Sequence, residues 1–308
     1  MAKIKKIICI LMVMALACTM FTGCGKKAED QAPDVEATEQ GTDTEVSEAA
    51  PIELDQTVYT SDPIIMCDNK TGKITVTHIT TDEKGILFHL SCENKSDKKI
   101  LFSVNRVTVN GYAFDPYFST TVNPEREAIG SILFPYANLM NAGITQIDKM
   151  TCFIEAFTNE NDIGDRVFEE ACTIYPTGKG DDEIVASDRR HTANEVVVKD
   201  ENCEFVVLEK KVSDSGNLVL LCYIRNDADD NIVYVADNCL VDGKPCASYW
   251  GMDIDSGVAT YAKLEFYAGD LEAVDVVASE DNAVEFDVVG YDMNSIETPV
   301  LVRLNVKA

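Results

Sequence analysis

Short runs of β-branched and aromatic residues, separated by polar turns, follow one another along most of the chain, and one such pattern occurs twice. Residues 86–111 read ILFHLSCENKSDKKILFSVNRVTVNG, and residues 218–243 read LVLLCYIRNDADDNIVYVADNCLVDG. They align without a gap, with Ile86 opposite Leu218 and Gly111 opposite Gly243, an offset of 132 residues. A match at fixed spacing indicates a duplicated structural unit. Each copy has the pattern of two antiparallel strands joined by a turn.

The other apolar runs extend this pattern into two sets of roughly seven short strands, which is typical of antiparallel β-sandwiches. No segment has convincing helical periodicity, and residues 136–143 have room for only one or two helical turns. The candidate strands are residues 74–79, 86–92, 100–109, 128–134, 150–157 and 167–175, then 205–208, 218–224, 232–241, 259–266, 274–278, 284–289 and 300–306. Residues 58–59 and 64–66 are candidates for one further strand.

The chain is long enough for two domains that each bury a core. We place the first domain at residues 57–177 and the second at residues 191–308. Residues 178–190 between them are polar and are interpreted as a linker.

The tandem resembles the immunoglobulin-like or telokin-like β-sandwich domains of surface lipoproteins from Gram-positive bacteria. The resemblance implies an all-β fold of two tandem immunoglobulin-like antiparallel β-sandwich domains, and it carries no catalytic signature. It rests on an apolar strand, a turn with Asn and Asp three residues apart, and a second strand that ends at Gly: Asn94, Asp97, Asn110 and Gly111 in one copy, Asn226, Asp229, Asp242 and Gly243 in the other.

The N-terminus has the pattern of a targeting segment. Three lysines precede an apolar run from residue 7 to about residue 20, which is too short to span a bilayer comfortably. Gly23 and Cys24 then resemble the lipobox of bacterial lipoproteins, which implies a signal peptide at residues 1–23 and a lipid on Cys24. Phe21 departs from the Leu usual at that position, Cys18 is a competing site, and a plain secretory signal is the alternative.

Residues 24–56 carry many acids and almost no aromatic residues, so we expect a disordered acidic tether. The whole chain has 26 Lys and Arg against 53 Asp and Glu, a formal net charge of −27. Such a charge repels phosphate backbones, so nucleic acid is not an expected partner. The membrane lipid on Cys24 is the expected anchor, and the location is extracytoplasmic, on the cell membrane.

Eight cysteines lie beyond the N-terminal segment, an even number that favours disulfides in an exported protein. The repeat favours free thiols instead, because most of these cysteines align with an apolar residue of the other copy: Cys92 with Ile224, Cys222 with Leu90, Cys239 with Val107, Cys246 with Phe114, and, in a less secure register, Cys152 with Val284 and Cys172 with Leu304. The bridge to check first is Cys239–Cys246, which one hairpin could close.

The sequence contains no nucleophile-elbow, zincin, P-loop or dinucleotide motif. His78 and His89 fall inside predicted strands, so we predict no catalytic residue and no cofactor. Two acidic turns, at residues 227–231 and 253–257, have oxygen ligands that calcium prefers, but neither matches an EF-hand, and no metal site is predicted.

Two aromatic doublets recur in both copies, and Tyr117, Phe118, Tyr249 and Trp250 are therefore the candidate ligand-binding residues. We expect a non-catalytic binding or scaffolding module at the cell surface, whose partner is a protein, a peptide or a glycan. The alternatives are a calcium-stabilised spacer and a hydrolase or sugar-processing module with a site built from loops.

Overall fold

The chain folds into mostly antiparallel strands, of which the longest have ten residues. The computed structural model describes residues 58–158, 165–184, 188–292 and 300–308. In its first half the elements are β1 (Ile64–Asp68), β2 (Gly72–Thr81), β3 (Gly85–Asn94), β4 (Ile100–Val109), β5 (Tyr112–Phe114), β6 (Ser119–Val122), β7 (Glu127–Pro135), α1 (Tyr136–Asn141), β8 (Met150–Phe157) and β9 (Arg166–Ile174).

The second half repeats this order of elements. They are β10 (Val196–Lys199), β11 (Cys203–Val212), β12 (Leu218–Asn226), β13 (Ile232–Val241), β14 (Lys244–Pro245), β15 (Gly251–Ile254), β16 (Ala259–Phe266), α2 (Ala268–Ala273), β17 (Val284–Asp292) and β18 (Val302–Lys307). A short 3-10 helix, Asp181–Glu183, lies between the halves. The all-β prediction is therefore confirmed, and so is the short helix predicted within residues 136–143.

The strands form three sheets. In the first half β1-β2-β3-β7 faces a sheet built on β5-β4-β8-β9, with β6 also paired to β4. In the second half β10-β11-β12-β16 faces β14-β13-β17-β18, with β15 also paired to β13. A parallel pairing between β16 and β5 joins two of these into one nine-stranded sheet that runs through both halves.

The repeat holds in the backbone as well as in the sequence. Arg106 and Asn110 have positive φ angles of 49° each, and their counterparts 132 residues later, Asn238 and Asp242, have φ angles of 52° and 51°. After the short helices the offset grows to 134, because Met150 pairs with Val109 while Val284 pairs with Val241.

This longer offset corrects two of the aligned cysteines. Cys152 corresponds to Phe286 and Cys172 to Val306, since these residues hold the same places in the strand register. Their counterparts are still apolar. All eight cysteines of the described residues are free and buried, as the repeat alignment predicts. Cys239 and Cys246 are separate thiols, although the Cys246 N–H donates to the Cys239 carbonyl at 3.1 Å.

A fully buried asparagine makes equivalent hydrogen bonds in each half, at the corner that the chain turns after β3 and after β12. The Asn94 side-chain amide donates to the carbonyls of Lys98 at 2.7 Å and Val122 at 2.9 Å. The Asn226 amide donates to the carbonyls of Asp230 at 2.8 Å and Ile254 at 3.0 Å. Both sets of acceptors occupy equivalent positions. Buried polar groups are costly unless they are hydrogen-bonded, so Asn is the residue that the predicted Asn-and-Asp turn needs at this position.

Some predicted elements differ from the structure. Residues 274–278 are not a strand: they follow α2, where the Val276 N–H donates to the Leu271 carbonyl at 2.9 Å and Asp275 has a φ of 55°. At the end of the predicted linker, the Arg190 N–H donates a hydrogen bond to the Tyr261 hydroxyl of β16 at 2.8 Å. The predicted signal peptide, Cys24 and the tether lie outside the described residues. No helix in the described part of the chain is long and apolar enough to cross a membrane.

Candidate functional site

The two aromatic doublets lie on equivalent loops, before β6 in the first half and before β15 in the second. Each doublet divides in the same way. Tyr117 is 87% exposed and Tyr249 is 66% exposed, whereas Phe118 and Trp250 are buried. The four candidate residues therefore have two different environments, and only the tyrosines present a ring face to a ligand.

The buried members hold the loops against the core. A Cβ on Gly130 would lie 2.7 Å from the Phe118 ring, so a glycine is needed where this ring packs on β7. The Val104 N–H donates to the Phe118 carbonyl at 3.2 Å. In the second half Trp250 packs edge-on against Phe205, with ring centroids 6.0 Å apart. The rigid strand below each loop thereby fixes the position of the exposed tyrosine beside it.

The exposed tyrosines have different neighbours. The Tyr117 hydroxyl shares a hydrogen bond of 2.8 Å with the Ser119 hydroxyl. Tyr249 lies beside the half-exposed Tyr267, with ring centroids 6.0 Å apart and an angle of 40° between the rings. Tyr249 and Tyr267 together form the tyrosine platform of the second half. Sequence reasoning missed Tyr267, whose counterpart in the first half is Pro135.

Beneath this platform two buried polar atoms, the Trp250 Nε1 and the Ser248 Oγ, have no hydrogen-bond partner among the described residues. Both belong to the loop that carries Tyr249. An unsatisfied buried donor or acceptor costs about 1 to 3 kcal/mol. The loop is thus held by packing of its aromatic rings more than by polar contacts of its side chains.

Residues of the two acidic turns in the second half form hydrogen bonds between the turns and with an arginine side chain. Arg225 donates to both Asp227 oxygens, at 2.6 and 3.1 Å. The Ser256 N–H donates to the Asn231 side-chain oxygen at 3.0 Å, and the Ser256 hydroxyl donates to the Ala228 carbonyl at 2.6 Å. Within the described ranges no group of three or more His, Cys, Asp or Glu side chains could hold a metal ion.

His78 and His89 form a stacked pair on the outer face of β2 and β3. Their ring centroids are 4.0 Å apart and nearly parallel. His78 Nδ1 lies 3.0 Å from the Thr77 hydroxyl, and His89 Nε2 lies 2.9 Å from the Thr80 hydroxyl. Partial burial, and then the neighbouring His78, lower the pKa of His89. His89 therefore favours its neutral form.

The contact between the two halves is built on β5 and β16. The Thr260 hydroxyl donates to the Ala113 carbonyl at 2.8 Å, and the Ala259 N–H points to the Gly111 carbonyl at 3.4 Å. Arg106 pairs with Asp255 across the same junction. These contacts link β4, β5 and the turn between them to β16 and the turn before it.

A row of three tyrosine rings continues this junction. Tyr112 of the first half lies 5.7 Å from Tyr261, which in turn lies 5.3 Å from Tyr223. Five side chains from the outer face of the second half join the apolar core of the first: Val206, Leu208, Leu221, Tyr223 and Ala259. Sequence reasoning did not predict this buried contact.

No model of a protein family and no curated protein matches the chain. A solved protein of unknown function from Porphyromonas gingivalis W83 is 14% identical, with 77% of this chain and 99% of that chain covered, at a TM-score of 0.20. The exo-chitosanase CsxA of Amycolatopsis orientalis is 10% identical, with 78% and 27% covered, at a TM-score of 0.24. A deletion mutant of the Bacillus subtilis oxalate decarboxylase OxdC is 10% identical, with 77% and 79% covered, at a TM-score of 0.10. At these TM-scores the likenesses carry no argument.

Proposed function

We propose that the chain is a lipid-anchored extracytoplasmic protein with two immunoglobulin-like domains in tandem, and that it binds a partner at the cell surface without catalysis. The partner is a protein, a peptide or a glycan that presents a flat apolar face to the tyrosines. The observation that carries this function is the exposed tyrosine at the same loop position in both halves, next to a buried aromatic ring.

The strand pairing supports the immunoglobulin-like assignment. Immunoglobulin domains pair strands B and E in one sheet and strands C, F and G in the other. Here β3 pairs with β7, and β4, β8 and β9 are consecutive neighbours in the facing sheet. The second half has the equivalent pairs β12–β16 and β13–β17–β18. Tyr117 lies beside the middle of β4, between the residues of β5 and β6 that pair with that strand, and Tyr249 has the equivalent position beside β13.

The energetics of exposed aromatic rings support a binding role. Tyr and Trp supply large contact areas at low conformational cost, and they are enriched among the residues that dominate binding energy. The tyrosine platform presents two such rings side by side. A ring that is already fixed by its neighbours loses less entropy when it binds.

The anchor is tested by cell fractionation. We expect Cys24→Ser to move the protein from the membrane fraction to the soluble fraction, because the thiol that would carry the lipid is lost. Cys18→Ser is the matched control and should remain with the membrane. If Cys24→Ser stays attached and Cys18→Ser is released, the lipid lies on the other cysteine. Attachment of both variants would contradict lipid anchoring through either one.

The binding role is tested by cross-linking on intact cells, followed by mass spectrometry of the captured molecules. We expect one reproducible partner that is lost in the double variant Tyr117→Ala, Tyr249→Ala. The buried Phe118 and Trp250 are left unchanged so that the core stays intact. Val277→Ala is the control, because Val277 is 85% exposed and distant in sequence from both loops. Capture that is equal in all three proteins would remove the tyrosines from the proposed site.

A further inference from the structure

Four of the eight described thiols belong to the first half, and all four interact with at least one other thiol in its core. Cys67 lies on β1, while Cys152 and Cys172 lie on β8 and β9 of the facing sheet. A negative charge on Cys172 would raise the pKa of both Cys67 and Cys152. One edge of this core is closed by few contacts, among them the hydrogen bond of 3.2 Å from the Asn69 amide to Glu170.

Cys152 and Cys172 are directly opposed on adjacent antiparallel strands. Among the described cysteines this is the one pair that the strand register places opposite each other. Directly opposed residues in such a pair have Cα atoms about 4.5 to 5.5 Å apart. A disulfide needs a Cα separation of about 4.4 to 6.8 Å. The backbone therefore already satisfies the main requirement for a bond between these two sulfur atoms.

Both side chains are buried in the core, where the strand register places them side by side. The neighbouring Cys172 thiol, and then burial, raise the pKa of Cys152 above its ordinary value. The neighbouring Cys152 lowers the pKa of Cys172. Cys172 is also the more exposed of the two, and β9 is the edge strand of its sheet. Cys172 is therefore the thiol that reacts first.

We propose that Cys152 and Cys172 are a redox-responsive pair that closes into a cross-strand disulfide, and that the free thiols of the structure are its reduced form. The oxidant is a small external disulfide. The Cys172 thiolate attacks one sulfur of that disulfide and releases the other as a thiol. Cys152 loses its proton and attacks the Cys172 sulfur of the mixed disulfide, which releases the second thiol. The protein loses two electrons and two protons, and the external disulfide is reduced to two thiols.

Closing this bond would fix the edge strand β9 to β8. It would also restrict the unfolded chain, since the bond encloses the hairpin between residues 152 and 172. The second half has Phe286 and Val306 at these positions and relies on packing alone. The pair is thus a stabilising device that only the first half possesses, and its state follows the redox poise around the protein.

The experiment is refolding of the purified, reduced full chain in a glutathione redox buffer, followed by tryptic digestion without reduction. Cys152 falls in the peptide of residues 150–166, and Cys172 falls in the next peptide, residues 167–179. We expect these two peptides to be joined. The oxidised protein should keep the circular dichroism spectrum of the reduced protein and melt about 5 °C or more above it.

Two variants make the result specific. Cys172→Ser should lose both the joined peptides and the rise in Tm, whereas Cys246→Ser in the second half should keep both. Linkage of the Cys92 peptide, residues 85–95, or of Cys67 to either partner in place of the expected pair would overturn the assignment. The proposal is equally refuted if no bond forms on refolding, or if the bond forms and lowers the Tm.

Discussion

The outer faces of two equivalent sheets show how the copies have diverged. On the inner side β3 presents Phe88 and Leu90, and β12 presents Leu220 and Cys222, all buried and apolar. On the outer side the equivalent residues of the two halves differ. The pairs, with the residue of the first half given first, are Leu87 and Val219, His89 and Leu221, Ser91 and Tyr223, and Ile129 and Tyr261. The first outer face is open to solvent, whereas the second is buried against the first half of the chain.

The comparison shows that the inward residues specify the sandwich and the outward residues specify what the sandwich touches. A strand that is buried on both faces loses its alternation of apolar and polar residues. This explains why β12 reads as an unbroken apolar run while β3 alternates. The same fold thus serves as a solvent-facing sheet in one copy and as half of a buried contact in the other.

The largest expected effect comes from removing the ring at the centre of the second outer face. Tyr223→Ala should lower the free energy of unfolding by about 3 to 4 kcal/mol, because a buried aromatic side chain and its packing against Tyr261 are lost. Ser91→Ala at the equivalent position should change it by less than about 0.5 kcal/mol. Denaturant unfolding of both variants measures the difference. Equal effects would show that the two outer faces are energetically alike.

The shared corner should respond equally in the two halves. Asn94→Ala and Asn226→Ala should each cost about 2 to 3 kcal/mol, because each leaves one buried and one partly buried carbonyl without their donor. Denaturant unfolding again provides the measurement, and Asn105→Ala on the exposed side of β4 is a suitable control. A large loss in only one half would mean that the equivalence of the corners is geometric and not energetic.

A smaller effect on stability is expected at Glu195, the ion-pair partner of the Arg189 guanidinium that lies over the Tyr223 ring. Arg189 lies 5.6 Å from the Tyr223 ring and donates to both oxygens of Glu195, at 2.9 and 3.0 Å. The hydrogen bonds from Arg189 hold the pKa of Glu195 down at about 2. A lowered pKa in the folded state contributes stability above the unfolded value, and this stability is lost as the pH falls towards 2.

Glu195→Gln should therefore cost about 1 kcal/mol at pH 7, after allowance for screening by solvent, and almost nothing at pH 2. Thermal or denaturant unfolding of both proteins across this pH range measures the change. Glu201→Gln, on an exposed turn, is the matched control. A cost that does not shrink on acidification would show that the ion pair does not stabilise the fold.

The smallest effect belongs to the stacked histidines of the first outer face. A His whose pKa is lowered on folding prefers its neutral form, so the folded state loses stability as the pH falls through the unfolded value of about 6.5. His89→Gln should make the drop in Tm between pH 7.5 and pH 5.5 smaller than in the natural chain. His191→Gln is the control outside the stack. An unchanged drop in the His89 variant would contradict this account of the pair.

The core strands could be predicted from the sequence because they are long and alternate clearly. Strands β5, β6, β10, β14 and β15 have two to four residues and were missed, since so few residues have no readable period. Val274, Val276 and Ala278 do alternate, but they follow a helix and pack against the core without joining a strand. Helix α2 could have been found, because it lies 132 residues after α1.

The candidate site was predicted only in outline. The repeat identified the loops of Tyr117 and Tyr249, but a doublet does not reveal which ring is buried. That depends on partners far along the chain, such as Gly130 and Phe205. The contact between the halves had one signal in the sequence: β12 lacks the alternation of apolar and polar residues that a strand with one exposed face has. The pairing of Cys152 with Cys172 needs the register of β8 and β9, which no local pattern provides.

The buried asparagine at the corner has a consequence for tracing the ancestry of this chain. Its amide always reaches a carbonyl four residues later and another 28 residues later. Inward and outward residues both differ between the copies, yet these two spacings are the same. An asparagine flanked by strands at those two intervals is therefore an inherited mark, by which further descendants of the same ancestral segment can be recognised when overall identity has faded.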